Sequence, residues 1–500
     1  MTSRPASPDL VVVGGGLAGI TAALDAAAAG ATVRLVERRR RLGGLTWSFS
    51  RNGFTYDNGQ HVFLRCCTAY RALLDRIGMT AATRLQDRLD LPVLRPGGQR
   101  ERLTRADAPS PVHLAGTLAR FRALPPTLRA WSALDARALG ALSPRDAATR
   151  GESFGAWLER RPGPPRGPAL QSLWEPLLRA TCNLPAAELS LALAARVVGT
   201  GLLEHHDGAD IGWATVPLGQ LHHTAPLQAL HTAGVEVRLG EAVRAVTFDA
   251  SDATPRIWGT DGDEPAPAVV VAVGSTAAGR LLPPGALAHD PARLGTSPIV
   301  NVQIVFDRPV LDVELAAALD SPIEWLFDRS RAVGAAPGQQ CVGVSLSAAN
   351  AWVGQRPAEL VAEMLQALAA LFPDAGRAAV LDAVVTKEPA ATFAATPASE
   401  LERPATRTRL PGVYLAGAWT DTGWPATMEG AVRSGADAAR AVVVQAGGRV
   451  GNSGAGLPHR LGAAATTPTD SRPATSRHFA AIHGVVSRPD AGVTREEALA

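Results

Sequence analysis

Leu10-Val11-Val12-Val13-Gly14-Gly15-Gly16-Leu17-Ala18-Gly19, read together with Glu37, decides the fold of this chain. The apolar run Leu10–Val13, rich in β-branched residues, predicts a short strand buried on both faces. Gly-x-Gly-x-x-Gly follows at once, with Gly14, Gly16 and Gly19 at the fixed positions. An alanine-rich helical segment opens at Leu17 and Ala18 and runs to Gly30, and residues 31–36 read as a second strand ending at Glu37. In such a unit the first glycine permits a tight turn, the second lets the backbone approach a pyrophosphate, and the third lets helix and strand pack closely. The helix N-terminus faces the negative charge. An acid about 20 positions on reaches the ribose hydroxyls, which is where Glu37 stands. The glycine pattern alone is weak in an Ala- and Gly-rich chain. With strand, helix, second strand and terminal acid in register, it predicts dinucleotide binding.

The next residues choose the dinucleotide. Arg38–Arg41 lead into Leu42-Gly43-Gly44 and Leu45-Thr46-Trp47. Glu-x-x-x-Arg-x-Gly-Gly resembles the FAD-binding signature of the amine oxidase and phytoene desaturase superfamily; a solvated arginine run is the plainer alternative. By that resemblance Arg38, Arg39, Gly43, Gly44 and Leu45 are cofactor-binding positions. Members often carry an arginine directly after Gly-Gly, near the pyrophosphate. Leu45 stands there in this chain, so that contact is lost or passes to Arg39 or Arg41. Farther on, residues 412–415 read as a strand, followed by a turn and helix from Ala416 through Gly417, Ala418, Trp419 and Met428 to Gly435. Such a strand–turn–helix brings N–H groups and a helix N-terminus to the flavin, favouring its anionic reduced form. The small residues of Glu429-Gly430-Ala431-x-x-Ser434-Gly435 are expected to let the helix backbone approach the cofactor.

Composition excludes several classes. A net charge of +3 gives no global electrostatic case for nucleic acid. Lys387 is the only lysine, a bias that suggests a G+C-rich genome rather than a binding function. The four cysteines, Cys66, Cys67, Cys182 and Cys341, show no metal-ligand spacing, so no metal is expected. An adjacent pair such as Cys66-Cys67 rarely bridges to itself, which favours a reduced, cytoplasmic protein. Residues 1–9 lack the apolar core of a signal peptide, and no stretch reads as a membrane-spanning helix.

The chain is expected to interleave its parts: FAD-binding segments at 9–79, 231–285 and 401–446, a helical substrate region at 80–230, a substrate-domain sheet with helices at 286–400, and a disordered tail at 447–500. The resulting class is α/β, a Rossmann-like, glutathione-reductase-like flavoprotein domain with a mixed-sheet and helical substrate domain. Residues 235–239, 242–248 and 268–273 read as strands, and Val243 lies where the resembling family meets the adenine, or is an ordinary core valine. The basic, partly amphipathic stretch 113–134 is either a solvated helix face or a surface for a membrane. Residues 479–486 read as a docking segment with nothing to establish it.

A narrower resemblance rests on Asp57-Asn58-Gly59-Gln60-His61, Leu173-Trp174-Glu175-Pro176-Leu177, Trp325-Leu326-Phe327-Asp328-Arg329, Lys387-Glu388 with Ala391-Thr392-Phe393, and the block 415–435. Together these are similar to the hydroxysqualene dehydroxylases, also described as squalene-associated FAD-dependent desaturases, over most of residues 10–445. The resemblance implies reductive removal of the hydroxyl of hydroxysqualene to give squalene in hopanoid or triterpenoid biosynthesis. It also implies a long apolar isoprenoid substrate, peripheral contact with the inner face of the cell membrane and neighbouring squalene-pathway enzymes as partners. One departure is Ala418, where the family usually has an aspartate on a ribityl hydroxyl; Asp421 is the candidate replacement. Losing one charge-assisted hydrogen bond costs roughly 1.5–3 kcal/mol.

Hydroxide is a poor leaving group, so a general acid is expected. His61 is the first candidate, with a structural histidine as the equal alternative; Glu175 and Glu429 follow, each readable as a structural carboxylate. Trp174, Trp213, Trp325, Trp419 and Trp424 suit either an apolar tunnel or ordinary core packing. Two other functions share these motifs: an oxidative flavoenzyme such as a carotenoid desaturase or amine oxidase, and a lipid-binding protein that no longer uses flavin.

Overall fold

Strand β1 (Leu10–Val13) has no polar residue because both its faces are buried: Leu10 and Val12 enter one apolar cluster, Val11 and Val13 another. The computed structural model describes residues 7–249, 254–259 and 262–451. Helix α1 (Leu17–Ala28) returns the chain to β2 (Val33–Glu37), which pairs parallel to β1. The sheet has five parallel strands in the order 236–239, β2, β1, 269–271, 413–415. Its order reverses at β1, the switch point outside which α/β sheets bind ligands, and the glycine turn leaves β1 there.

A hairpin of β3 (Ser48–Arg51) and β4 (Phe54–Asp57) leads to β5 (Val62–Leu64) and helix α2 (Thr68–Arg76). The region 80–230 is not simply helical. Strands 90–95 and 99–104 complete a seven-stranded mixed sheet ordered 380–392, 297–306, 340–346, 325–328, 315–318, 90–95, 99–104. Pro92 and the arginines on those strands hide the strand signal: Leu91 and Leu103 alternate with polar residues too briefly to outweigh the surrounding Arg/Ala/Leu composition. The helices follow, among them α3 (Ala115–Arg120) and α4 (Pro126–Gly140).

The strand 297–306 divides its side chains by the period of two. Val300, Val302, Ile304 and Phe306 pack with Leu360, Met364 and Leu368 of the helix Pro357–Leu371. Asn301, Gln303 and Val305 face the other way, toward Tyr56, Asp57 and Asn58. A three-stranded antiparallel ribbon, 245–249, 254–259 and 262–265, lies outside both sheets. Val243 precedes it in irregular backbone rather than on a strand, half-buried against the core. The last helix is Met428–Gly451, so residues 447–451 of the expected disordered tail are helical, while the rest of that tail and the segment 479–486 lie outside the described residues.

Candidate active site

The glycines of the first turn do different work. Gly14 has φ +110°, and a Cβ there would lie 2.5 Å from the Ala272 carbonyl oxygen. A Cβ on Gly19 would stand 1.9 Å from the Gly14 oxygen, so helix and turn touch through backbone alone. Gly16 is different: its Cβ would meet only the Gly44 Cα, at 3.9 Å. The protein does not need that space, and a ligand does. Helix α1 begins here with no side-chain cap and no acid in its first turn, leaving its first N–H groups to an anion. Leu17 and Ala18 are buried in that first turn, positioned by packing.

Glu37 closes the floor of the turn. Its Oε2 accepts from the Gly15 N–H at 2.7 Å and its Oε1 from the Arg39 N–H at 2.8 Å. Both oxygens keep lone pairs for ribose hydroxyls. Gly43 and Gly44 have φ +97° and +59°, and Gly44 faces Gly16 so closely that a Cβ would lie 3.0 Å from the Gly16 Cα. Arg39 and Arg41 both donate to the Gly44 carbonyl, at 3.3 and 3.2 Å. Arg41 also lies over the Trp47 ring, 4.5 Å from its centroid. Burial and the neighbouring Arg39 push the Arg41 guanidinium down to about 10, while burial pushes Glu388 up against the pull of both arginines. Two cations thus converge on one carbonyl beside an uncapped helix end, the donor set of a diphosphate site. Arg38 and Leu45 are both exposed, Leu45 by 46%, and the Leu45 carbonyl accepts from Asn58 Nδ2 at 2.8 Å.

At the second element Gly417 has φ +148° and its N–H donates to Ser434 Oγ at 2.8 Å. Trp419 is buried, and its indole N–H donates to the Val273 carbonyl. Ala418 and Met428 are half-buried. Asp421 does not replace the missing aspartate: it is exposed and pairs with Arg150 at 3.1 Å. Gly435 serves packing between helices, since a Cβ there would run into the Ala18 carbonyl oxygen, while Gly430 packs against the Pro425 carbonyl of the turn before it.

The motif 57–61 is a junction. Asp57 Oδ2 pairs with Arg329 at 2.6 Å, both nearly fully buried, and its Oδ1 accepts from Ser48 Oγ and the Leu218 N–H. Asn58 holds the Leu45–Trp47 turn with its side chain and accepts from Thr386 with its carbonyl. Gly59 has no room for a side chain because Asn301 Nδ2 would lie 2.7 Å away. His61 follows, half-buried, with Nδ1 3.0 Å from the Gly59 carbonyl. Burial holds its pKa below the ordinary value, helped by Arg329 and opposed by that hydrogen bond and Asp57.

The two carboxylates named as further acids are engaged elsewhere. Glu429 is a helix cap: it accepts from the N–H groups of Ala69 and Tyr70, at 3.1 and 2.7 Å, and from Arg433 at 2.7 Å. Glu175 accepts from the Ala186 N–H at 2.8 Å and faces Arg179. It lines a cavity of about 310 Å³ with Glu324, Trp325 and Trp352. Sequence reasoning missed His222, which has no motif around it. It sits in a π-helical turn (220–224), backs onto Gly43, and lies 2.9 Å from the Tyr70 hydroxyl through Nε2. Complete burial, with His61 nearby, pushes it down to about 3.

The tryptophans divide. Trp213 and Trp325 share an apolar cluster with Leu64, Leu202, Leu315 and Phe327 on the sheet face that Asn301 and Gln303 also occupy. Trp174 packs on Phe154 in the helical core, and Trp424 lies under Arg433. Among the described residues no group of side chains is arranged to hold a metal ion.

The family model of flavin containing amine oxidoreductases matches residues 17–443. A curated relative, hydroxysqualene dehydroxylase of Rhodopseudomonas palustris, is 31% identical over 455 residues, covering 86% of this chain and 97% of its own. The enzyme of that name from Sinorhizobium fredii is 28% identical, over 86% and 96%. A 15-cis-phytoene desaturase of Solanum lycopersicum is 25% identical, over 88% and 78%. Among solved structures, cyclohexylamine oxidase from Brevibacterium oxydans superposes with a TM-score of 0.65 at 20% identity, covering 88% of this chain and all of that one. Putrescine oxidase bound to putrescine gives 0.65 at 18%, over 88% and 99%. The expected flavoprotein fold and FAD are borne out, and the chain is a member of the flavin-containing amine oxidoreductase family, an FAD-dependent oxidoreductase similar to the hydroxysqualene dehydroxylases along most of its length.

Proposed function

We propose that this oxidoreductase removes the hydroxyl of hydroxysqualene reductively and releases squalene. The observation that carries the reading is the 31% identity to a hydroxysqualene dehydroxylase across nearly the whole of that relative. FAD supplies the two-electron, hydride-level chemistry when bound. The chain's own part is to hold it and manage the substrate. Gly14–Gly19, the first turn of α1, Glu37, Arg39 and Arg41 hold the nucleotide half. The Trp213–Trp325–Phe327 face takes the isoprenoid chain and excludes water. His61 is the proton donor in this reading, acting as the imidazolium: Nδ1–H is held by the Gly59 carbonyl, Asp57 favours the charged ring against burial, and Nε2–H is the proton passed to the departing hydroxyl. Glu429 and Glu175 have no free part in that step.

The anaerobic half-reaction tests it. Protein with chemically reduced flavin is mixed with hydroxysqualene, and the visible absorbance and extracted lipid are followed. Return of the oxidised flavin spectrum with equimolar squalene is expected. The likeness to phytoene desaturases supports a second reading, oxidation of a polyene precursor. No reoxidation by hydroxysqualene, with bleaching of oxidised flavin by phytoene, would select it. No helix among the described residues is long and apolar enough to cross a membrane. The substrate is a lipid, so we assign its delivery to a membrane surface docked by α3 and α4, where squalene-pathway enzymes are the expected neighbours.

A further inference from the structure

The cysteines fall into two environments. Cys182 and Cys341 are sealed in the core, at 1% and 0% exposure, and burial pushes both thiols far up. Cys66 and Cys67 are half-buried and consecutive, and each thiol shifts the ionisation of the other. Cys67 has φ −76° and ψ 67°, and the Thr68 N–H donates to the Cys66 carbonyl at 2.9 Å. That is an inverse γ-turn, which folds the chain tightly at the junction of β5 and α2. Cys67 is the N-cap of α2, and the next two free N–H groups of the helix, on Ala69 and Tyr70, hold the buried Glu429. Tyr70 in turn touches His222, which backs onto Gly43 of the nucleotide site. The interaction of the two thiols draws Cys66 below its ordinary value and raises Cys67, so the pair has an attacking and a resolving member.

We propose that Cys66 and Cys67 are a vicinal dithiol that a hydroperoxide converts reversibly to a disulfide, and that this switch at the start of α2 weakens FAD binding. The Cys66 sulfur attacks the terminal peroxide oxygen, the O–O bond breaks, and an alcohol (or water, from hydrogen peroxide) leaves with a proton. The Cys67 sulfur then displaces the oxygen from the Cys66 sulfenic acid, and a water leaves with the Cys67 proton. One hydroperoxide is reduced by two electrons and two thiols become one disulfide. A ring closed through a single peptide unit is strained, which makes the bond readily reduced again by thiols. Closure also redraws the γ-turn that places Ala69 and Tyr70 under Glu429.

The test uses the full-length, FAD-loaded protein and a few equivalents of hydrogen peroxide. After denaturation, titratable thiols are expected to fall from four to two, with loss of two hydrogens from the peptide spanning Cys66–Cys67 and full recovery with dithiothreitol. Cys67→Ser is expected to gain oxygen at Cys66 and lose no hydrogens. Phenylarsine oxide, which grips paired thiols, is expected to bind one per reduced native chain and not to either serine variant. The oxidised protein is expected to bind FAD several-fold more weakly, reversed by dithiothreitol. Oxygen addition without a disulfide in the wild type, no arsenical binding, or a disulfide that leaves FAD affinity unchanged each overturns the proposal.

Discussion

Arg41 does what its place in the sequence only half suggests. With Leu45 in place of an arginine, two guanidiniums, from Arg39 and Arg41, converge on the Gly44 carbonyl, and burial already lowers Arg41 toward about 10. That repulsion is relieved by a bound diphosphate. Arg41→Ala is therefore expected to raise the FAD Kd by about tenfold or more, the worth of a charged hydrogen bond, read by calorimetry on the apoprotein. An unchanged Kd would assign the contact to Arg39 alone. His222 carries a second prediction at this scale. Its folded pKa, about 3, lies below the ordinary value of 6.5, so the unfolded chain binds the extra proton. Its contribution is present above pH 6.5 and is lost as pH falls toward 3, at up to about 1.4 kcal/mol per pH unit. Urea denaturation between pH 7 and 4 is expected to show that slope in the wild type and a shallower one in His222→Gln. The histidine was illegible in the sequence because its consequence is burial, and burial is decided by a chain segment remote from it.

Helices meet through what they lack. Gly435 touches the Ala18 carbonyl with no space for a methyl group, whereas Gly447, on the same helix, has nothing within 4 Å of an added Cβ. Gly435→Ala is expected to cost about 1–3 kcal/mol or more of stability, while Gly447→Ala gains up to about 1 kcal/mol. Equal effects in denaturation would show that helix propensity, not the contact, decides. The pair α3–α4 is an element whose surface has one sign. Between residues 111 and 142 the sole acid is Asp135, fully buried and paired with Arg161 and Arg166. Arg120, Arg122 and Arg137 face outward with Val112 and Leu134, which are 57% and 50% exposed. Each basic residue near an anionic bilayer contributes about 1 kcal/mol. Replacing the three arginines by glutamate is expected to abolish sedimentation with phosphatidylserine vesicles at low salt and leave flavin binding unchanged. Retention on the vesicles would remove these helices from the membrane contact. Their basic, amphipathic character was readable directly, but the exposed face depended on which side packed inward.

Across the whole molecule the nucleotide side and the seven-stranded sheet are joined by side chains from distant parts of the sequence. Asp57 pairs with Arg329, Asn58 receives Asn301 and Thr386, and Gln303 donates to the Asp57 carbonyl. Breaking the buried ion pair from one side leaves a charge unpaired in the interior, which costs about 3–5 kcal/mol. Arg329→Met is expected to lose that much in chemical denaturation and to release FAD at lower denaturant than the wild type. A loss within 1 kcal/mol would show that the pair does not hold the two parts together.

Local residues were enough to determine the βαβ unit and its glycine turn, because each requirement is a backbone one met within a few dozen residues; Glu37 followed from its spacing, and the FAD class from the resemblance of the motif that comes after it. The second strand–turn–helix was legible for the same reason. Only the tertiary structure decided that Glu429 caps a helix, that Asp421 faces solvent, that Gly435 serves a helix contact and that strands 90–95 and 99–104 complete a sheet. In each case the deciding partner lies far away in the chain: Ala69 and Tyr70, Arg150, Ala18, and the strand 315–318. A carboxylate's role is set by which donors reach it, and no spacing along one segment specifies donors brought in by another.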